Sequence, residues 1–232
     1  MATTYPIFLE IGSKRTIAGA IDWPGWCRIA RDEESALAAL LAYGPRCAAV
    51  LRPARLGFTA PKETASLKVV ERVRGNATTD FGAPDAVLAA DAEPFDRAAL
   101  RRYTAILKAV WRAFDHAAEV AEGVELKKGP RGGGRDLDKI VEHTWGAEAA
   151  YVRSLGWKVK VESGTPPAEA LAQIRQAMLD ALAAGARGEL AERGPRGGKL
   201  WSPRQAVRRA AWHVLDHAWE IEDQAKGGEG GI

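Results

Sequence analysis

Two cysteines in 232 residues are too few for a disulfide framework, and Cys27 and Cys47 lack the CxxC spacing of a zinc ribbon. They read as reduced, partly buried thiols. Long apolar runs are also missing. The longest, from Ala36 to Tyr43, is eight residues, against the roughly 20 needed to cross a bilayer. No membrane span is expected. Near the start Glu10 and Lys14 break any apolar stretch and no small-residue cleavage site follows, so a secretory signal is not expected and the chain is placed in the cytoplasm. An excess of one charge is lacking as well: Lys plus Arg number 33 against 30 Asp plus Glu, a formal net charge of +3. The balance is even along the chain, with 11 basic and 9 acidic residues up to residue 90 and 22 and 21 after it. A basic stripe of the kind nucleic acid demands is therefore not expected. No Ser-His-Asp constellation or Walker loop is visible, and the Gly-rich segments precede helices without a strand before them, which argues against a dinucleotide site.

What is present is an ordinary globular mix, 47% hydrophobic and 27% charged, long enough for one large domain or two modest ones. The pattern changes at residues 89–94, so a small α+β domain is expected over 1–90 and a helical domain over 91–232. In the first, residues 5–11 and 16–21 are β-branched and aromatic runs split by Gly12, Ser13 and Lys14, a hairpin signature. A turn follows at residues 23–26. Asp32, Glu33 and Glu34 then precede Leu37, Leu40 and Leu41 at helical spacing, which predicts a helix over 32–43. Residues 67–73 form a further strand candidate, with loops at Gly75, Asn76 and 82–84.

After Pro94 the period becomes 3.6. Helices are predicted over 95–122, 136–155, 167–184 and 203–224, the last entered by Ser202 as N-cap and Pro203 at the first helical position. Each carries an apolar stripe, and the simplest closure is an up-down-up-down four-helix bundle in which the second and fourth helices run the same way. The fourth helix also bears Trp212, Leu215 and Trp219 off its main stripe. That face is predicted to be covered, by the N-terminal domain or, failing that, by a second subunit in a homodimer. The segment Gly129-Pro130-Arg131-Gly132-Gly133 recurs as Gly194-Pro195-Arg196-Gly197-Gly198, each time ahead of a histidine-bearing helix. In an up-down bundle both loops would lie at one end, where Arg131, Arg135, Arg196 and Lys199 could hold an anion beside helix N-termini. The competing reading is loop punctuation with solvated arginines.

Only four histidines exist. His213 and His217 stand i, i+4 on one helix face, a spacing one metal ion can bridge. His143 lies on the second helix at a similar height. Ala206 and Ala210 beside the pair, and Ala147 and Ala150 beside His143, leave room for an ion and its water. His116 falls off its helix stripe and is excluded as a ligand. Two packed core histidines would be the bland alternative for the pair.

The run Ile140-Val141-Glu142-His143-Thr144-Trp145-Gly146-Ala147-Glu148, with Tyr151 and Leu155, followed by Trp212-His213-Val214-Leu215-Asp216-His217-Ala218-Trp219, resembles the DinB-like superfamily over residues 95–224. The resemblance implies a four-helix bundle in which His143, His213 and His217 hold one divalent ion, with open positions for water or substrate; imidazole ligands suit zinc, nickel or iron alike, so the metal is not named. It also implies a place among thiol-dependent S-transferases and isomerases that use a low-molecular-weight thiol. About 90 residues precede the bundle, which departs from that pattern. Within them Ala18 to Trp26 and Arg31 to Leu37 resemble HicB-like domains over residues 7–43, which often serve as antitoxins or partner modules.

A bound ion would acidify water or a thiol, so a metal-dependent S-transferase or hydrolase acting on a small anionic substrate is the expected function. Glu220, seven residues after His213, is the candidate to orient an imidazole or take a proton. The rival is a non-catalytic metal- or ligand-binding protein, or a regulatory module, in which the ion ties helices together. An open fourth coordination position distinguishes the enzyme from the structural site.

Overall fold

A computed structural model describes residues 3–127, 136–162 and 164–226. The first part is a four-stranded mixed sheet in the order β3-β2-β1-β4. β1 (Tyr5–Ile11) and β2 (Thr16–Ala20) form the predicted hairpin, with Leu9 opposite Ala18. β3 (Cys27–Ala30) pairs antiparallel with β2, and β4 (Leu67–Arg74) lies parallel to β1. The helix after the acidic run is α1 (Glu33–Ala42), capped by Asp32, whose carboxylate accepts from Ser35 N at 2.8 Å. Two further helices arise where none was predicted: α2 (Gly44–Leu51), opened by Pro45, and α3 (Ala77–Phe81). Asn76, read as loop, is the N-cap of α3, and at five residues α3 is too short to display a period.

The sheet is buried on both faces. Tyr5, Ile7 and Leu9 join one core with Trp26 and Leu40, whereas Phe8, Ile17 and Cys27 pack with Leu88 and Trp212. Glu10 also lies in the interior, fully buried. Its carboxylate accepts from the Thr79 hydroxyl and from the amides of Asp85 at 3.0 Å and Ala86 at 3.1 Å. One acid thus fixes the course of residues 84–86.

The second part consists of four long helices, α4 (Arg97–Val120), α5 (Leu137–Ser154), α6 (Pro167–Gly185) and α7 (Pro203–Lys226), all close to the predicted spans. Ser202 caps α7, accepting from Gln205 N at 3.2 Å. α4 packs on α7 and α6, and α5 packs on the same two. Buried residues before and after residues 89–94 belong to one continuous core.

The helix directions correct the expected up-down-up-down order. Arg204, at the start of α7, reaches Tyr103 Oη and Pro94 O near the start of α4, while Lys127 N, beyond the end of α4, donates to Gln224 O near the end of α7. α4 and α7 are parallel. Trp201 N, just before α7, donates to Ser154 O at the end of α5, and Gly185 at the end of α6 abuts Pro203. α5 and α6 therefore both run against α7. The order is up, down, down, up. Its physical reason is the connection after α5: Trp157 to Lys160 run beside Gln173, Gln176 and Asp180 of α6, and about 12 residues of near-extended chain can span a helix of that length.

The indole face of α7 is covered from within the chain, as predicted. Trp212, Leu215 and Trp219 are 9%, 1% and 2% exposed. Trp212 meets Phe8 and Leu88, Leu215 meets Gly25, and Trp219 packs edge-on against Tyr43 with ring centroids 5.0 Å apart. Arg28–Asp216 at 2.9 Å and Arg46–Glu222 at 2.6 Å tie the two parts together at the margin. No described helix is long and apolar enough to cross a membrane.

Candidate metal centre

α7 displays His213 and His217 one turn apart, above the fully buried Ala206 and Ala210. α5 crosses in the opposite sense and brings His143 to the same place. The three ring centroids are 5.0, 5.1 and 4.6 Å apart, and one ligand nitrogen from each ring lies within 4.8 Å of the others. Nε2 of His143 is 3.2 Å from Nε2 of His213. Two nitrogens each about 2.0–2.1 Å from a tetrahedral zinc are about 3.3 Å apart, so this separation suits a shared ion. A hydrogen bond between a protonated and a bare nitrogen has the same length. Three neutral imidazoles from two helices are a common divalent-metal set. Among the described residues no fourth His, Cys, Asp or Glu joins the cluster.

Glu220 falls beside the site, not in it. Its Oε2 is 2.6 Å from Nδ1 of His217, and its Oε1 accepts from Gln224 Nε2 at 3.2 Å. With Nδ1 engaged, Nε2 is the nitrogen His217 has to offer an ion, which is how an outer carboxylate fixes tautomer and ring orientation. Burial is graded across the site: His213 is buried, His217 half-buried and His143 exposed. The cluster is open to solvent on the α5 side. His116 is exposed on α4, in keeping with its exclusion.

Comparison with protein-family models, with curated proteins and with solved structures gives no match.

The starts of α5 and α7, expected at one end, lie at opposite ends. Arg131 and Arg135 lie outside the described residues. Arg196 and Lys199 are exposed on a tight hairpin closed by Gly194 N to Gly198 O at 2.8 Å, with Arg193 donating to Gly197 O. That hairpin precedes the start of α7, whereas α5 begins at the end where α7 finishes, because the two helices are antiparallel. The expectation of one shared end is corrected accordingly. Lys199, Trp201, Ser202, Gln205 and Phe95 line a cavity of about 490 Å³, and none of the three imidazoles lines it.

Sequence reasoning missed two features. Arg209, one turn before His213, donates to Pro84 O and stacks over Trp212 at 5.1 Å and Tyr151 at 6.0 Å. Its position four before a candidate ligand was the available signal. Glu148 is buried between helices, accepting from Trp111 Nε1, with Arg175 Nε 3.6 Å away. Burial pushes its carboxyl up to about 7, against the opposing pull of Arg175 and of the Trp111 bond. Nothing in the local pattern of α5 marked it. Cys27 and Cys47 are both buried, and burial pushes the Cys27 thiol up to about 12 and raises Cys47 too, so neither is a nucleophile at neutral pH.

Proposed function

We propose that the helical part is a DinB-like four-helix bundle that holds one divalent ion on His143, His213 and His217. On this reading the protein is a metal-dependent S-transferase or hydrolase acting on a small anionic substrate, with a low-molecular-weight thiol as cosubstrate in the first case. The observation that carries the reading is the convergence of three imidazoles from helices 70 residues apart in sequence. When bound, an ion of this kind acidifies water or a thiol and so supplies a nucleophile at neutral pH. The chain's own residues do the rest. Glu220 holds the His217 ring by Nδ1, Ala206 and Ala210 keep the floor of the site small, and Trp212 and Tyr151 wall His213 on two sides, with ring centroids 5.8 Å from it in each case.

A purely structural ion would call for a closed set of four protein ligands. Glu220 is engaged on the outer nitrogen instead, and His143 is exposed, which supports an open position. The N-terminal sheet, including the HicB-like stretch, then serves to cover α7 and to set residues 84–86 against it. The test is a turnover assay. Metal-loaded protein is expected to transfer a low-molecular-weight thiol to, or hydrolyse, at least one member of a panel of small carboxylate-bearing electrophiles and esters. Activity should vanish on chelation and in His213→Ala. Equal activity with and without metal would overturn the proposal.

A further inference from the structure

Two polar side chains, Arg209 and Tyr151, stand beside His213. Of the three arginines in the first two turns of α7, Arg204 pairs with Glu93 and Arg208 with Asp91. Arg209 pairs with no carboxylate among the described residues. Its Nη1 donates to Pro84 O, and its Nε is buried without a hydrogen-bond partner. A half-buried guanidinium in that state has been desolvated without full compensation.

Tyr151 stands next to it. Its ring is held between Trp201, stacked at 5.6 Å, and His213, met at 85° with centroids 5.8 Å apart. The residue is 8% exposed. A phenol hydroxyl is a hydrogen-bond donor at neutral pH.

The placement of both groups is determined by the fold. Residues 209 and 213 are one turn apart on the same side of α7, with about 5–6 Å between their Cβ atoms. The guanidinium is pinned from above by Pro84 O, and the course of residues 84–86 is in turn fixed by the buried Glu10 carboxylate. The N-terminal sheet thereby holds a cation next to the three imidazoles.

We infer that Arg209 and Tyr151 form the acid-binding end of the metal site, taking the carboxylate of a substrate whose reacting atom lies at the imidazoles. This rests on the metal reading above and names the substrate class for it: a short molecule with a carboxylate a few bonds from the group that meets the ion. A guanidinium and a phenol converging on one oxyanion provide charge-assisted hydrogen bonds, the stronger kind. A neutral analogue would leave the buried Nε of Arg209 unpaired, which makes the pair a discriminating element rather than a general attractor.

The test uses the full-length protein loaded with cobalt(II), whose visible spectrum reports both metal uptake and the arrival of a thiolate. The probes are 4-mercaptobutyrate and 4-mercaptobutan-1-ol, which differ only in the acid group. Wild type is expected to bind the acid about tenfold more tightly than the alcohol. Arg209→Gln should bind the two equally, and Tyr151→Phe, which keeps the ring and removes only the hydroxyl, should narrow the preference by about threefold. Cobalt content should be unchanged in both variants. Equal binding by wild type, or a preference that survives in loaded Arg209→Gln, overturns the inference alone. A wild type that takes up no cobalt overturns the metal reading and this inference together. Because Arg209 also ties down Pro84, Tyr151→Phe is the arm least exposed to misfolding, and an unaltered preference there removes Tyr151 from the site.

Discussion

The Glu220 carboxylate stands 2.6 Å from Nδ1 of His217, one turn further along the same helix. The pair makes the orientation of one candidate ligand depend on a residue that is not itself in the ligand cluster. Glu220→Ala should therefore weaken divalent-metal affinity by about 10- to 100-fold without abolishing binding. Competition against a chromophoric chelator measures this, with His116→Ala, an exposed histidine on α4, as the variant that leaves affinity unchanged.

Glu148 predicts a pH dependence of stability. Burial raises its carboxyl in the folded chain from the usual 4.5 to about 7, so between those values the native state holds a proton that the unfolded state has released. The contribution of this group is fully present below about pH 4.5 and is lost as pH rises through about 7. Urea unfolding at pH 5 and pH 8 should show wild type losing on the order of 2–3 kcal/mol more than Glu148→Gln over that interval. An identical pH response in the two proteins would contradict the assignment.

The covered face of α7 predicts a large packing effect. Trp219 is 2% exposed and sits against Tyr43, so Trp219→Ala should destabilise the protein by about 3–5 kcal/mol. Denaturant midpoints are the measurement. A change below about 1 kcal/mol would mean that the sheet and helices are held together elsewhere.

Glu10 is the interior acid of the sheet. Glu10→Ala leaves the Thr79 hydroxyl and the Asp85 and Ala86 amides without their acceptor, a cost of roughly 1–3 kcal/mol. Hydrogen exchange should report loss of protection at the amides of Asp85 and Ala86 first, ahead of β1 itself.

Much of this was legible in the sequence, for identifiable reasons. The helices α4 to α7 each span four or more turns, so their apolar stripes repeat often enough to be seen, and Ser202 with Pro203 marked the start of α7. The histidine cluster was legible because His213 and His217 share a face whatever the bundle's topology. The relative direction of α5 and α7 was not. A stripe says which side is buried but carries no sense of direction, and it is the stretch from Trp157 to Lys160, running back beside α6, that decides it. Bringing His143 to the pair from an antiparallel helix works as well as from a parallel one, because residue 143 lies about as far from the end of α5 as residue 213 lies from the start of α7. The acid-binding pair was invisible for a different reason. Arg209 and Tyr151 are 58 residues apart, and what brings them together is the packing of α5 against α7, which no local pattern expresses.

An ion held by three imidazoles is tested most directly by elemental analysis of purified protein beside His143→Ala and His217→Ala. About one equivalent of a single divalent metal per chain is expected in wild type, falling to a small fraction of that in each variant while the fold persists. Metal-free wild type that cannot be loaded, or variants that retain the full equivalent, would contradict it.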